Sequence, residues 1–231
     1  AGLGWSLAAV FSAIVLATGP TVVTPIVKQI RLAHPLGDVL EAEGLLLEPI
    51  GAVLALLLLE LALGDLHGWR ELVQGLLARL GGGVLIGVTV GWLLSEGLRR
   101  LTPSQAVGLR LQLTLGALFL MFGTAEWLLP ESGLPASVAA GVVVGRRSTE
   151  EAGQLDELIR ELASLAITML FPLLAADVSW AELSPLGWGG VSCVLLLMFV
   201  VRPVAVGVAT VGLPLVWRQK LFMAWLAPRG I

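Results

Sequence analysis

Glu48 stands inside the apolar stretch EGLLLEPIGAVLALLLLE, which runs from Glu43 to Glu60. An ionisable side chain at that depth costs about 2.5–3.5 kcal/mol on insertion scales, so a membrane-buried acid marks a working site. The preceding apolar stretch is broken near its middle by Thr18, Gly19 and Pro20. Pro20 has no N–H for the carbonyl four residues back, and Gly19 leaves helical geometry easily. The freed carbonyls, with the hydroxyls of Thr18 and Thr21, are hard oxygen donors suited to a small monovalent cation. A carboxylate takes that cation or a proton, so Glu48, Thr18 and Thr21 form a candidate ion- and proton-binding set. In it, Glu48 is the candidate ligand of a transported monovalent metal ion. A broken helix beside a buried acid points to ion-coupled transport.

Arg202 lies midway through LLLMFVVRPVAVG, where a guanidinium needs an anionic partner or a hydrated cavity. Glu43 and Glu48 are the nearest candidates by type. The expected arrangement is a structural ion pair between Arg202 and Glu43, which leaves Glu48 to exchange its proton. Near the end of the chain, Pro228, Arg229 and Gly230 break a further apolar segment. One early and one late break match corresponding parts of two structural repeats.

Helical spacing places Gly44, Glu48, Gly51, Ala52 and Ala55 on one face of their segment. The acid therefore points into small residues, where another helix or a cleft can approach closely. Leu45, Leu46, Val53, Leu54, Leu56 and Leu57 form the other side and are expected to face lipid. Pro49 loosens the helix beside the acid. Gly83, Gly87 and Gly91 recur at every fourth position, a helix-packing stripe.

Hydrophobic residues make up 57% of the chain and charged residues 13%, with a mean hydropathy of +0.92. Soluble domains carry about 25% charged residues, so the composition is that of a membrane protein. The net charge of −3 gives no reason to expect nucleic acid as a partner. A single cysteine, Cys193, excludes an internal disulfide, and His34 and His67 lie too far apart for a metal motif. HExxH, GxSxG, Walker A and dinucleotide signatures are absent, so neither an enzyme nor a bound cofactor is expected.

A bilayer-spanning helix needs about 20 apolar residues. Segments near 4–27, 44–63, 75–98, 106–129, 133–145, 161–177 and 188–213 approach that length, and an eighth begins near Leu221. The fold class is an all-α polytopic membrane protein, with about seven full transmembrane helices plus a truncated eighth in one domain over residues 1–231. The 133–145 run is short and needs its flanks or a tilt to cross. Polar connectors are expected at 28–43, 64–74, 99–105, 146–160, 178–187 and 214–220. Of these, 146–160 has the spacing of a short interfacial helix. Lys28, Arg31, Arg99, Arg100, Arg146, Arg147, Arg160, Arg218 and Lys220 all fall on one set of alternate connectors. By the positive-inside rule that set is cytoplasmic. Trp5, Trp69, Trp127, Trp180, Trp188 and Trp217 stand near segment boundaries, as an aromatic belt would place them. Glu60, Glu96, Glu126 and Glu131 lie at or near segment ends, where solvation at the interface explains them.

In order along the chain come ATGPTVVTP, EGLLLEPIGAVLA, ESGLPASVAAGVVVG, VRPVAV and WLAPRGI. This series resembles the landmarks of the monovalent cation:proton antiporters, the sodium/proton exchanger family, over essentially the whole chain. The resemblance implies two crossed, interrupted helices, a homodimer in the full-length protein, and exchange of sodium (or potassium or lithium) for protons. Thr18 matches the family's threonine at the first break, and Gly19 stands where many members have aspartate. Glu43 matches an acid that pairs with the arginine found here as Arg202. Glu48 takes the place of the ion-binding aspartate, and Leu47 that of the Asn or Asp before it. Pro228, Arg229 and Gly230 match the second break. By the same comparison the chain is expected to be a fragment, without the family's opening helices and the end of the second crossed helix.

The expected function is secondary antiport by alternating access, with Glu48 as the shared carboxylate and roughly one proton per cation. The setting expected is a bacterial plasma (inner) membrane. A channel-like or regulatory transport subunit on the same scaffold, or an inactive fragment, are the rival readings.

Overall fold

Apolar runs in a bilayer leave backbone N–H and C=O groups no partner but their own turns, so each run becomes a helix. The computed structural model describes residues 4–16, 36–100, 107–147, 152–179, 187–211 and 216–225. Those residues form α1 (Trp5–Leu16), α2 (Leu36–Leu63), α3 (Trp69–Arg100), α4 (Val107–Leu128), α5 (Gly133–Arg147), α6 (Ala152–Asp177), α7 (Gly187–Ala209) and α8 (Trp217–Trp225), with no strand among them. Among the described residues, five stretches are long and apolar enough to cross a membrane: Val39–Leu63, Trp69–Arg100, Gly108–Leu128, Ile159–Asp177 and Gly187–Ala209. The chain is a multi-pass, all-helical membrane protein.

Three boundaries differ from the sequence expectation. The polar connector expected at 28–43 is helical from Leu36 onward, because Leu40 and Gly44 continue a buried face through the charged residues. Residues 152–160 are the opening turns of α6 rather than a separate interfacial helix. The short 133–145 run forms the 15-residue α5, well below bilayer length, and packs against α3 along one side.

Helices α2 and α3 form a hairpin. Gly64, with φ of 89°, takes the left-handed conformation that ends α2. The backbone N–H of His67 donates to Glu71 Oε2 at 2.7 Å and caps the start of α3. Val53 and Leu57, expected to face lipid, are instead buried against Leu72, with Leu76 and Leu80 packed around them. Lipid and protein core are equally apolar, so hydropathy alone does not tell those two sides of α2 apart. Leu45 and Leu46 are exposed.

The glycine stripe of α3 meets α5. A Cβ on Gly83 would lie 2.6 Å from the Ser132 carbonyl, and one on Gly91 would lie 2.9 Å from Ala140 Cα. One on Gly87 would fall on the Ala136 backbone. The two helices thus run parallel in close contact, small residue on small residue. Met121 and Ala125 of α4 complete this core with Ala136 and Ala140. Trp5, Trp69, Trp127, Trp188 and Trp217 are exposed at helix ends, and Trp180 lies outside the described residues.

Candidate functional site

Helix α2 carries both acids of interest. It packs on α1 as well as on α3 and α5, and Gly44, Pro49 and Gly51 are buried in it. Glu43 and Glu48 are each partly buried, five residues and so about 7.5 Å apart along the axis.

Helix α7 supplies Arg202 through a local irregularity. Pro203 offers no N–H to the carbonyl four residues earlier. The chain widens into a π turn over Leu197–Val201, and the Arg202 N–H bonds the Leu197 carbonyl five residues back. Such turns re-aim a side chain within an otherwise regular helix. Arg202 is 6% exposed, and its guanidinium turns onto α2. Nη1 donates to Glu43 Oε1 at 2.5 Å, and Nη2 to Oε2 at 3.2 Å, a bidentate pair. The third nitrogen, Nε, is buried and has no hydrogen-bond partner among the described residues. Phe199 in the π turn meets Trp225 edge to face at 6.1 Å, and Lys220 Nζ donates to the Thr210 carbonyl, so α8 braces this part of α7.

Glu48 differs from Glu43 in one respect that matters. Among the described residues its carboxylate has no hydrogen bond and no counter-charge. Thr18, Thr21, Gly19 and Pro20, and likewise Pro228, Arg229 and Gly230, lie outside the described residues. Within the described residues no group of three His, Cys, Asp or Glu side chains could hold a metal ion.

A second polar cluster lies at the other end of α2 and α3. Arg79 Nη2 donates to both Glu60 oxygens at 2.9 and 3.2 Å, with both side chains largely buried. Glu126 accepts from the N–H groups of Glu131 (2.8 Å) and Gly133 (3.3 Å), holding the turn into α5. Burial first, then the neighbouring Glu126, pushes the Glu131 carboxyl above the usual carboxylate range, against the pull of Arg79. Interface solvation is the sequence expectation for Glu60 and Glu126, yet each is engaged by the protein. A charged partner one hairpin away in sequence is the signal for Glu60. Glu96 is held by Arg100 one turn on, at 3.1 Å.

The family model described as "Sodium/hydrogen exchanger, transmembrane" matches residues 1–231. The chain belongs to the sodium/hydrogen exchanger family. Two archaeal relatives from Methanocaldococcus jannaschii agree. "Probable Na(+)/H(+) antiporter 2" is 25% identical over 234 residues, covering 96% of this chain and 54% of that protein. "Na(+)/H(+) antiporter 1" is 25% identical over 231 residues, covering 96% of this chain and 53% of that protein. The chain spans about half the length of the curated relatives it matches. Family membership is a transporter assignment and not an enzymatic one.

Proposed function

We propose that the protein is a secondary antiporter that exchanges a monovalent cation, sodium first among them, for protons across a plasma membrane. The observation that carries this reading is the unequal treatment of two acids on one helix. Glu43 is neutralised by Arg202, whereas Glu48, about one and a half turns away, has no counter-charge among the described residues. A buried carboxylate that the described residues leave without a counter-charge is suited to take its positive charge from a ligand, as H⁺ or as a cation. It holds one or the other, so binding is competitive.

Alternating access converts that competition into exchange. The loaded site reorients across the membrane; the empty, charged site does not, because an uncompensated carboxylate is too costly to move through apolar surroundings. Thr18 and Thr21 complete the cation's oxygen shell from the first helix break, and Pro228, Arg229 and Gly230 form the second break. With leucine at 47, one acid titrates and one proton moves per cation. The working unit is a homodimer.

The test is proton flux in everted vesicles from cells lacking their own sodium/proton antiporters. The intact protein with Glu48→Gln, present in the membrane at the parent's level, loses sodium-dependent dissipation of the pH gradient. Glu48→Asp retains part of it. Unchanged flux in the Gln variant ends the proposal.

A further inference from the structure

An open groove of about 570 Å³ runs between α3 and α5 near their C-terminal ends, which the positive-inside rule puts on the cytoplasmic side. Its lining is mostly apolar, from Val88 and Leu93 of α3 and Val143 of α5, with Thr89, Arg146 and Arg147 as its polar members. Trp92 forms one wall, and the Arg147 guanidinium lies 5.8 Å from the centre of its ring. Val88, Trp92 and Leu93 are exposed, so the groove opens on the outer surface of the helices. Neither Arg146 nor Arg147 pairs with an acid among the described residues. Basic residues often follow a helix C-terminus, but that preference asks for neither a tryptophan under one of them nor an apolar lining shared with both.

We propose that this groove binds an anionic phospholipid of the cytoplasmic leaflet, with its phosphate between Arg146 and Arg147 and its acyl chains along Val88, Leu93 and Val143. Guanidiniums are matched to phosphate, and both of these line the groove. Basic pockets between helices at the cytoplasmic surface suit anionic headgroups, and tryptophan settles at the same depth. The positive charge argues against a second copy of this chain in the groove, because a two-fold axis there would face the arginine pair with itself. A free anion would use the arginines and leave the apolar lining without a role. The proposal is independent of Glu48 and of antiport.

Brominated lipid quenching tests it on the purified protein in detergent micelles. The Trp92 contribution is the fluorescence absent from Trp92→Phe. Dibrominated phosphatidylglycerol should quench that contribution at far lower mole fraction than dibrominated phosphatidylcholine. The preference should fall about fivefold for each arginine removed, and vanish in Arg146→Gln/Arg147→Gln. Arg218→Gln, a cytoplasmic charge elsewhere, should leave it intact. If the double arginine variant does not fold by circular dichroism, Val88→Phe/Val143→Phe, which fills the groove and keeps both charges, should lose the quenching instead. Equal quenching by both lipids in the parent overturns the proposal, as does a preference that survives loss of both arginines. Abolition by millimolar inorganic phosphate would mark a free-anion site, and protection of Trp92 by dimer formation would mark a protein interface; either also overturns it.

Discussion

Arg202 reaches Glu43 across 159 positions of sequence, with Nη1 on Oε1 at 2.5 Å and Nη2 on Oε2 at 3.2 Å. The pair ties α7 to α2 at Glu43, about 7.5 Å along the axis from Glu48. Among the described residues, this carboxylate is the counter-charge of a guanidinium that is only 6% exposed.

Removing one partner should therefore cost far more than removing both. Arg202→Gln leaves Glu43 as an uncompensated charge, a loss of about 3–5 kcal/mol for a buried pair. The double variant Glu43→Gln/Arg202→Gln should recover a large part of that loss. Thermal unfolding of the purified protein in one detergent, read as a double-mutant cycle, measures the coupling. Additive losses would show that the pair contributes nothing specific.

Glu48 should behave in the opposite way. It forms no pair among the described residues, so Glu48→Gln should leave the unfolding temperature unchanged or raise it. Sodium should stabilise the parent against heat, with the shift growing with concentration, because the cation binds only the folded state. The Gln variant should show no such shift at equal ionic strength, with choline as the control. A sodium shift that persists in the variant places the cation elsewhere.

The acids of α2 are legible in the sequence because a charge in hydrocarbon is costly at any position, whatever surrounds it. The glycine stripe is legible for a similar reason, since only small residues permit the approach of α5 to Gly83, Gly87 and Gly91. Val53 and Leu57 are not. Leucine on a membrane helix faces lipid or protein at nearly the same free energy, and only the neighbouring Leu72 decides. The start of α2 at Leu36 is hidden by its charges, because a helix emerging from the bilayer loses its hydropathy before it loses its turns. The π turn before Arg202 leaves one trace, Pro203, whose missing donor the backbone must work around. The threonines and glycines of the two helix breaks lie outside the described residues, so the site is seen from α2 and α7.

The α3–α5 crossing predicts a steep local contrast between glycines. Gly87→Ala pushes a methyl onto the Ala136 backbone, which has no flexible end to give way, and should destabilise by about 1–3 kcal/mol. Gly81, in the same helix, has nothing within 4 Å of the place a methyl would take, so Gly81→Ala should be neutral or stabilising by up to about 1 kcal/mol. Unfolding temperatures of the two variants side by side check this. Equal effects would mean that the helices do not approach at Gly87.

Glu131 makes stability depend on pH with a definite sign. Its carboxyl lies outside the spans and is raised above the usual carboxylate range, chiefly by burial and then by Glu126, with Arg79 opposing. The protonated form is thus favoured in the folded protein relative to the unfolded chain. Its contribution is fully present below the ordinary glutamate pKa and is lost as pH rises through the raised, folded-state value. Glu60 also accepts from Arg79, so part of that positive charge is already engaged. Glu131→Gln should flatten this slope, and the parent should lose stability relative to the variant as pH climbs from the acid range toward neutrality. Glu131 also holds a φ of 63°, a left-handed conformation that Asn tolerates better than Gln. Glu131→Asn should then remove the same slope and be the more stable of the two variants at every pH. Unfolding measured across the acid range in one detergent reads both effects, and a slope that survives both substitutions assigns it to another group.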